Sequence, residues 1–172
     1  MASSDLPLKS ELILNELKLR QRTKELVDVE EERVKVIIFT CAAKRYAFYG
    51  GDVREFLPAC EISWVPGLPD YLPGLINVRG DIESVIDIRP FLGEEKCDGF
   101  KGLIAMAVRG DFRSGVMIDS IEDVVDVPQS AIKPPLSTLN GAARDLVLGE
   151  LEYGRGLVTL LDIGKLADKI SL

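Results

Sequence analysis

Residues 73–93 read PGLINVRGDIESVIDIRPFLG, and the fold turns on this stretch. Pro73 and Gly74 open it, Ile76, Asn77 and Val78 step apolar–polar–apolar, and Arg79-Gly80 follows. Beyond Gly80 the residues alternate, with Ile82, Ser84, Ile86 and Ile88 on one side and Asp81, Glu83, Val85 and Asp87 on the other. Successive side chains of a strand point to opposite faces, so this period of two predicts a half-buried β-strand entered through a tight loop. The loop presents one arginine, a planar five-donor group, next to a residue with no side chain.

Outward from that strand the texture stays β-prone. Candidate strands are 34–41, 45–49, 60–65, 82–88, 103–108, 112–118, 122–127, 145–151 and 157–161. Arg109-Gly110-Asp111 predicts a hairpin over 103–118, and Leu103–Val108, apolar on both faces, predicts a central strand. Repeated short strands with small turns predict one or two small barrels, since closure removes exposed edges. Pro69–Asn77 and Ile163–Lys169 read as short helices, the second capped by Asp162, and 133–143 as a loop. Residues 1–9 read as loose, and Ser10 as the cap of a helix to about Glu31. Leu12, Leu19 and Leu26 recur at seven, too few to make a coiled coil, so this helix reads either as packed or solvated or as a pairing element. The boundaries are therefore 1–32 for an N-terminal extension, 33–168 for the main domain and 169–172 for a tail.

At 172 residues the chain is long enough to bury a core without staples. Its formal net charge of −7 argues against nucleic acid and anionic lipid as partners, because phosphate binding needs a basic face. No run reaches the roughly 20 apolar residues that span a bilayer, and MASSDLPLKSEL lacks the layout of a secretory leader. Three cysteines, Cys41, Cys60 and Cys97, form no C-x-x-C pair and predict reduced thiols in a cytoplasmic protein. There is no histidine, which removes the usual general base and the commonest metal ligand. No phosphate-binding glycine loop is present, and Ser114-Gly115 and Ser120 lack the setting of a nucleophile elbow. Glu94-Glu95, Asp119, Glu122-Asp123 and Asp126 show no calcium-loop spacing and read as solvated surface. No catalytic residue, cofactor or metal is expected.

Two further patterns bear on function. The run Val85-Ile86-Asp87-Ile88 through Leu92 is echoed by Leu160-Leu161-Asp162-Ile163 through Leu166, which suggests two similar lobes, although the second copy lacks Asn77-x-Arg79-Gly80. The pattern G-L-I-N-V-R-G-x-I-x-x-V-I-D-I-R resembles the signature of the CheW family, the coupling proteins of bacterial chemotaxis. Weaker likenesses run in order from about Val34 to Ala167: the opening hairpin at 33–39 and 45–48, Val53-Arg54-Glu55-Phe56 in place of a Val-x-Glu-Ile turn that faces partners, and the closing strands from Leu148 to Ile163. Ser84 departs from a frequent mid-strand proline, and Gly50-Gly51 from a bulkier residue.

The resemblance implies a mainly β fold of two small five-stranded SH3-like barrel lobes packed together, with short helices. It implies a non-enzymatic adaptor that couples the cytoplasmic tip of methyl-accepting chemoreceptors to the regulatory domain of the histidine kinase CheA. A CheW-like scaffold of another receptor–kinase pathway stays open, as does a small ligand-binding or enzymatic barrel. The partner-binding candidates are Arg79, with Asn77 and Gly80 shaping its turn, and Val53, Glu55 and Phe56 as a second element. Arg79 has an alternative reading as an internal ion pair with Asp81 or Asp87. Val53, Glu55 and Phe56 have one as simple packing. Trp64 and Tyr71 read as core, Asp87 and Asp162 as braces of turns, and Arg89 is not placed by the sequence, exposure beside Arg79 being one option.

Overall fold

The computed structural model describes residues 9–96, 98–136 and 141–170. Residues 1–8, Cys97 and the middle of the 133–143 loop lie outside it. The chain divides into two compact units, Met1–Arg33 and Val34–Leu172. The first holds helix α1 (Lys9–Glu30), which takes in Lys9 and has Ser10 as its second residue. Leu12, Ile13, Leu14, Leu17 and Leu19 are all exposed along it.

The second unit carries eleven strands among its described residues: β1 (Arg33–Cys41), β2 (Lys44–Tyr49), β3 (Val53–Pro58), β4 (Ser63–Trp64), β5 (Gly74–Val78), β6 (Asp81–Ile86), β7 (Leu103–Arg109), β8 (Phe112–Ile118), β9 (Ser120–Pro128), β10 (Val147–Tyr153) and β11 (Gly156–Leu161). Helices α2 (Gly141–Arg144) and α3 (Ile163–Ile170) complete it. The protein is mainly β with two barrel-like lobes, one built on five strands and the other on six. The sixth strand is the two-residue β4, all that forms of the strand expected over 60–65.

Three expectations fail for identifiable reasons. Gly74–Val78 is a strand where a short helix was expected. Gly74, Ile76 and Val78 all point inward, and a Cβ on Gly74 would lie 2.2 Å from the Ser63 carbonyl oxygen of the neighbouring strand. Val53–Phe56 is likewise strand and not turn, because β3 pairs along β7. β6 is not half-buried along its length: it starts exposed and ends buried on both faces. Ile82 is exposed, whereas Val85 and Ile86 are both fully buried, on opposite faces.

The sheet orders are β10-β11-β2-β1-β9 and β3-β7-β8-β6-β5-β4. Without β4 they match strand for strand. Each runs from one hairpin (β10–β11 or β5–β6), through a parallel contact (β11–β2 or β6–β8), to a second hairpin and a last strand. The second lobe is one continuous stretch, β3 to β8, inserted between β2 and β9 of the first. The β1–β2 hairpin joins β9, β10 and β11 from the far end of the sequence, and β7–β8 joins β3, β5 and β6.

The apolar residues sort accordingly into three clusters. Val36, Ile38, Ala47, Leu151, Val158 and Leu160 fill the first lobe. Ile76, Val78, Val85, Ile104, Met106 and Met117 fill the second. The opposite faces of the same strands meet between the lobes in a shared core of Phe39, Phe48, Ile86, Ala105, Val116, Leu161 and others. Leu103–Val108 is apolar on both faces because one face serves its own lobe and the other the shared core.

The sequence echo is real at the atomic level. Asp87 Oδ1 accepts from the N–H of Arg89 at 3.0 Å, and Asp162 Oδ1 from the N–H of Gly164 at 2.7 Å. In each copy the aspartate N–H donates to a carbonyl, of Tyr71 or of Leu146. Asp162 also caps α3 by accepting from Lys165 N–H.

Arg89 is buried, not exposed. Its guanidinium meets Asp87 at 3.2 Å and Asp119 at 2.6 Å. Asp119 in turn accepts from Ala42 N–H in the β1–β2 turn, so this buried cation ties the two lobes together. The carboxylates read as merely solvated are mostly engaged: Glu94 with Lys44, Glu122 with Arg45, Asp126 with Lys35, and Asp123 with the Tyr153 hydroxyl.

Candidate functional site

Val78 pairs with Asp81 across β5–β6, which leaves Arg79 and Gly80 as a two-residue turn. Both have positive φ, 52° and 93°. This is the backbone of the mirror-image turn whose twist matches a right-handed hairpin, and it favours Asn or Gly. Asn77 Oδ1 accepts the Gly80 N–H at 2.8 Å and fixes the turn. Arg79 therefore occupies a left-handed conformation that costs a side-chain-bearing residue roughly 1–2 kcal/mol. Its side chain is 70% exposed, so packing does not explain its presence.

The guanidinium reaches Glu55 Oε1 at 2.5 Å, not Asp81 or Asp87. Two strands separate β3 from β6 in the sheet. At about 4.8 Å per strand a flat sheet would hold the two groups too far apart, so the contact shows the sheet curling until its hairpin tip overhangs its edge. A β-bulge between Val53 and Glu55 aims the carboxylate. Val53 and Phe56 turn to the shared core, whereas Glu55 lies opposite Met106, on the face that lines the second lobe's interior. The hydrogen bond from Arg79 holds the Glu55 carboxyl below its ordinary range, and the same bond raises the arginine. Arg113 and Arg54 add positive potential at Glu55, and Arg113 lies 2.6 Å from Glu83.

Of the six candidates, Arg79, Asn77, Gly80 and Glu55 come together at one lobe mouth. Val53 and Phe56 are partly buried and face inward, the simple-packing alternative. Sequence reasoning missed Ile82, which is 63% exposed two residues past Gly80. The signal was its place at a hairpin tip, where a lobe no longer covers its own strand. Trp64, expected in the core, is 74% exposed on β4, because that strand is the sheet's last and two residues long. Tyr71 is half-buried against Phe91, ring centroids 4.9 Å apart. Ser84, where a proline is frequent, bonds Ser114 across the β6–β8 contact at 2.8 Å.

Residues 35–171 match a family model described as the CheW-like domain. The chain is 26% identical over 143 residues to a chemotaxis protein CheW of Treponema pallidum, covering 80% of this chain and 84% of that protein. It is 29% identical over 142 residues to a chemotaxis protein CheW of Bacillus subtilis, covering 80% and 88%, and 29% identical over 119 residues to the protein FrzA of Myxococcus xanthus, covering 67% and 73%. The crystal structure of the scaffolding protein TtCheW from Thermoanaerobacter tengcongensis superposes with a TM-score of 0.69 at 23% identity, over 77% of this chain and 90% of that one, a likeness of fold.

Proposed function

Because the chain belongs to the CheW-like domain family, we propose that it is a non-enzymatic coupling protein of chemotaxis, binding the cytoplasmic tip of a chemoreceptor and the regulatory domain of the histidine kinase CheA. Its contact set is Arg79, Glu55 and Ile82, with Asn77 and Gly80 shaping the turn that presents them. The observation that carries this reading is Arg79 itself. A large cationic side chain stands in a backbone conformation that Asn or Gly would hold at lower energy, it is exposed, and a carboxylate on another strand orients it. Strain kept at an exposed position is a mark of selection for something other than stability. Glu55 occupies one edge of the guanidinium and leaves its remaining donors for a partner's carboxylate or carbonyls. Ile82 supplies apolar area beside it. The interiors of both lobes are filled with aliphatic side chains, which favours a surface that docks over a barrel that holds a ligand. The helix at residues 9–30 is an extension ahead of the coupling domain on this reading.

The test is substitution of Arg79 by the residue its turn prefers. Arg79→Asn keeps or raises the urea midpoint while capture of the kinase regulatory domain or of the receptor tip falls at least about tenfold. Retention of both partners by Arg79→Asn and by Arg79→Glu would remove this turn from the contact set. A loss of binding that only follows a loss of folding would make Arg79 a structural residue.

A further inference from the structure

Behind Glu55, on the inward face of the second lobe, stand two more charged side chains that belong to neither the core nor the turn. Glu55 lies opposite Met106, and Met106 opposite Gly115. Arg113 comes two residues before Gly115 on β8, so it shares that face. Gly115 shows which face it is, since a Cβ there would meet the side chains of Ile104 and Met106 inside the lobe. Glu83 precedes Val85 by two on β6, and Val85 runs alongside Gly115 in the parallel β6–β8 contact. Glu83 thus lies beside Arg113, its Oε1 2.6 Å from the arginine Nε. It is also opposite Ile76 in the β5–β6 hairpin, at the edge of the apolar layer of Ile76, Val85 and Met106. The lobe mouth therefore carries alternating charge on three strands, Glu83 on β6, Arg113 on β8 and Glu55 on β3. Arg79 overhangs Glu55 from the hairpin tip.

Stability does not account for the inner pair. The Arg113 and Glu83 side chains are 32% and 12% exposed, and ion pairs still open to water contribute little. The Arg113 Nε is closed off from water without an aligned hydrogen bond, near as Glu83 lies, and an N–H left so costs free energy. Two aliphatic side chains would cap the layer beneath without that cost. The effect of the pair falls on Glu55. The positive charge of Arg113 acts on that carboxylate together with that of Arg79 and that of Arg54, on the same strand as Glu55, while Asp81 acts on Arg79. We propose that Arg113, itself held by Glu83, is a positioning residue of the contact set. It holds the Glu55 carboxylate across the lobe mouth, where Glu55 receives Arg79 and leaves the other edge of that guanidinium to the partner. This role rests on the coupling function proposed above, and neither Arg113 nor Glu83 touches the partner in it.

Arg113→Met removes the charge and keeps most of the side-chain length, whereas Arg113→Lys keeps the charge. In the full isotope-labelled chain without partner, the carboxyl carbon shift of Glu55 follows its titration, and the Nε–H signal of Arg79 reports whether that side chain is held. Arg113→Met should leave the urea midpoint unchanged, move the Glu55 titration up towards its ordinary value and broaden the Arg79 signal. Arg113→Lys should stay close to the wild type. Capture of the kinase regulatory domain should weaken about fivefold in Arg113→Met, a coupling usual for neighbouring residues, and no further in the Arg79→Asn background. If Arg113→Met fails to fold, Glu83→Gln must move the same two signals in the same direction. A Glu55 titration and an Arg79 signal unchanged by these variants would overturn the proposal. Equal weakening in the wild-type and Arg79→Asn backgrounds would overturn it too, because Arg113 would then touch the partner itself. A wild-type chain that captures no partner would instead sink the coupling function, and the two signals would still decide whether Arg113 positions Glu55.

Discussion

Replacing Arg89 by alanine should be the most damaging single change in the second unit. The Arg89 side chain is 5% exposed and that of Asp87 6%, so deleting the cation strands a carboxylate away from water. Removing one partner of a buried pair costs roughly 3–5 kcal/mol, whereas the second contact, to the more exposed Asp119, adds less because water screens it. Against a usual total of about 5–15 kcal/mol that is about a fifth or more of the stability. With a urea dependence of about 2 kcal/mol per molar, the midpoint falls by roughly 2 M. The decisive comparison is the double variant Arg89→Ala/Asp87→Ala, which leaves no uncompensated charge and should be more stable than Arg89→Ala alone. An Arg89→Ala cost under about 1 kcal/mol, or costs that simply add in the double variant, would refute the claim that this buried pair stabilises the fold.

Three further outcomes are expected. Ala42 and Ala43 form the β1–β2 turn with φ of 52° and 61°, so Ala43→Gly relieves a left-handed alanine worth about 1 kcal/mol and raises Tm by roughly 2–4 °C in a calorimetric scan; a lower Tm would show the turn to be unstrained. The Glu55 carboxyl is depressed from its ordinary value of 4.5 by its bond from Arg79. Its contribution to stability is therefore present above that value and lost as pH falls through the folded one. Urea midpoints from neutral pH downward should drop more below pH 4.5 for the wild type than for Arg79→Asn, and parallel curves would dissociate the pair from stability. Burial pushes the Cys41 thiol up to about 12, while Cys60 is exposed. In a Cys97→Ser background iodoacetamide should therefore modify Cys60 alone at neutral pH until urea unfolds the chain, and labelling of native Cys41 would show that its site opens.

Much of the β framework was legible because each strand announces itself locally. β7 and β8 could be read from an apolar run, a glycine turn and a second apolar run, since residues adjacent in sequence are adjacent in the sheet. What escaped was set by distant partners. β3 reads as a turn until β7 is there to pair with it, and β5 as a helix until β4 and β6 flank it. The turn at Arg79-Gly80 and the brace from Asn77 were local and therefore visible. Its ion pair was not, because Glu55 is brought to it by the curl of a whole sheet and not by spacing along the chain. Trp64 and Ile82 were misplaced, and Arg89 was left unplaced, for one reason. Hydrophobicity and charge predict burial only on average, and each of these side chains sits where an edge, a hairpin tip or a buried carboxylate reverses the average.

The insertion of one lobe within the other explains why a coupling surface can stand on such small barrels. A lobe closed upon itself could rock against its neighbour through a linker. Here the second lobe, β3 to β8, is inserted between β2 and β9 of the first, so the chain crosses the junction twice. The shared core and the Arg89 bridge lie across the same junction. The turn that carries Arg79 is consequently held on a lobe braced against its neighbour. An adaptor acts through the geometry it imposes on what it binds. A frame that cannot flex between its docking surfaces passes a partner's displacement on instead of absorbing it.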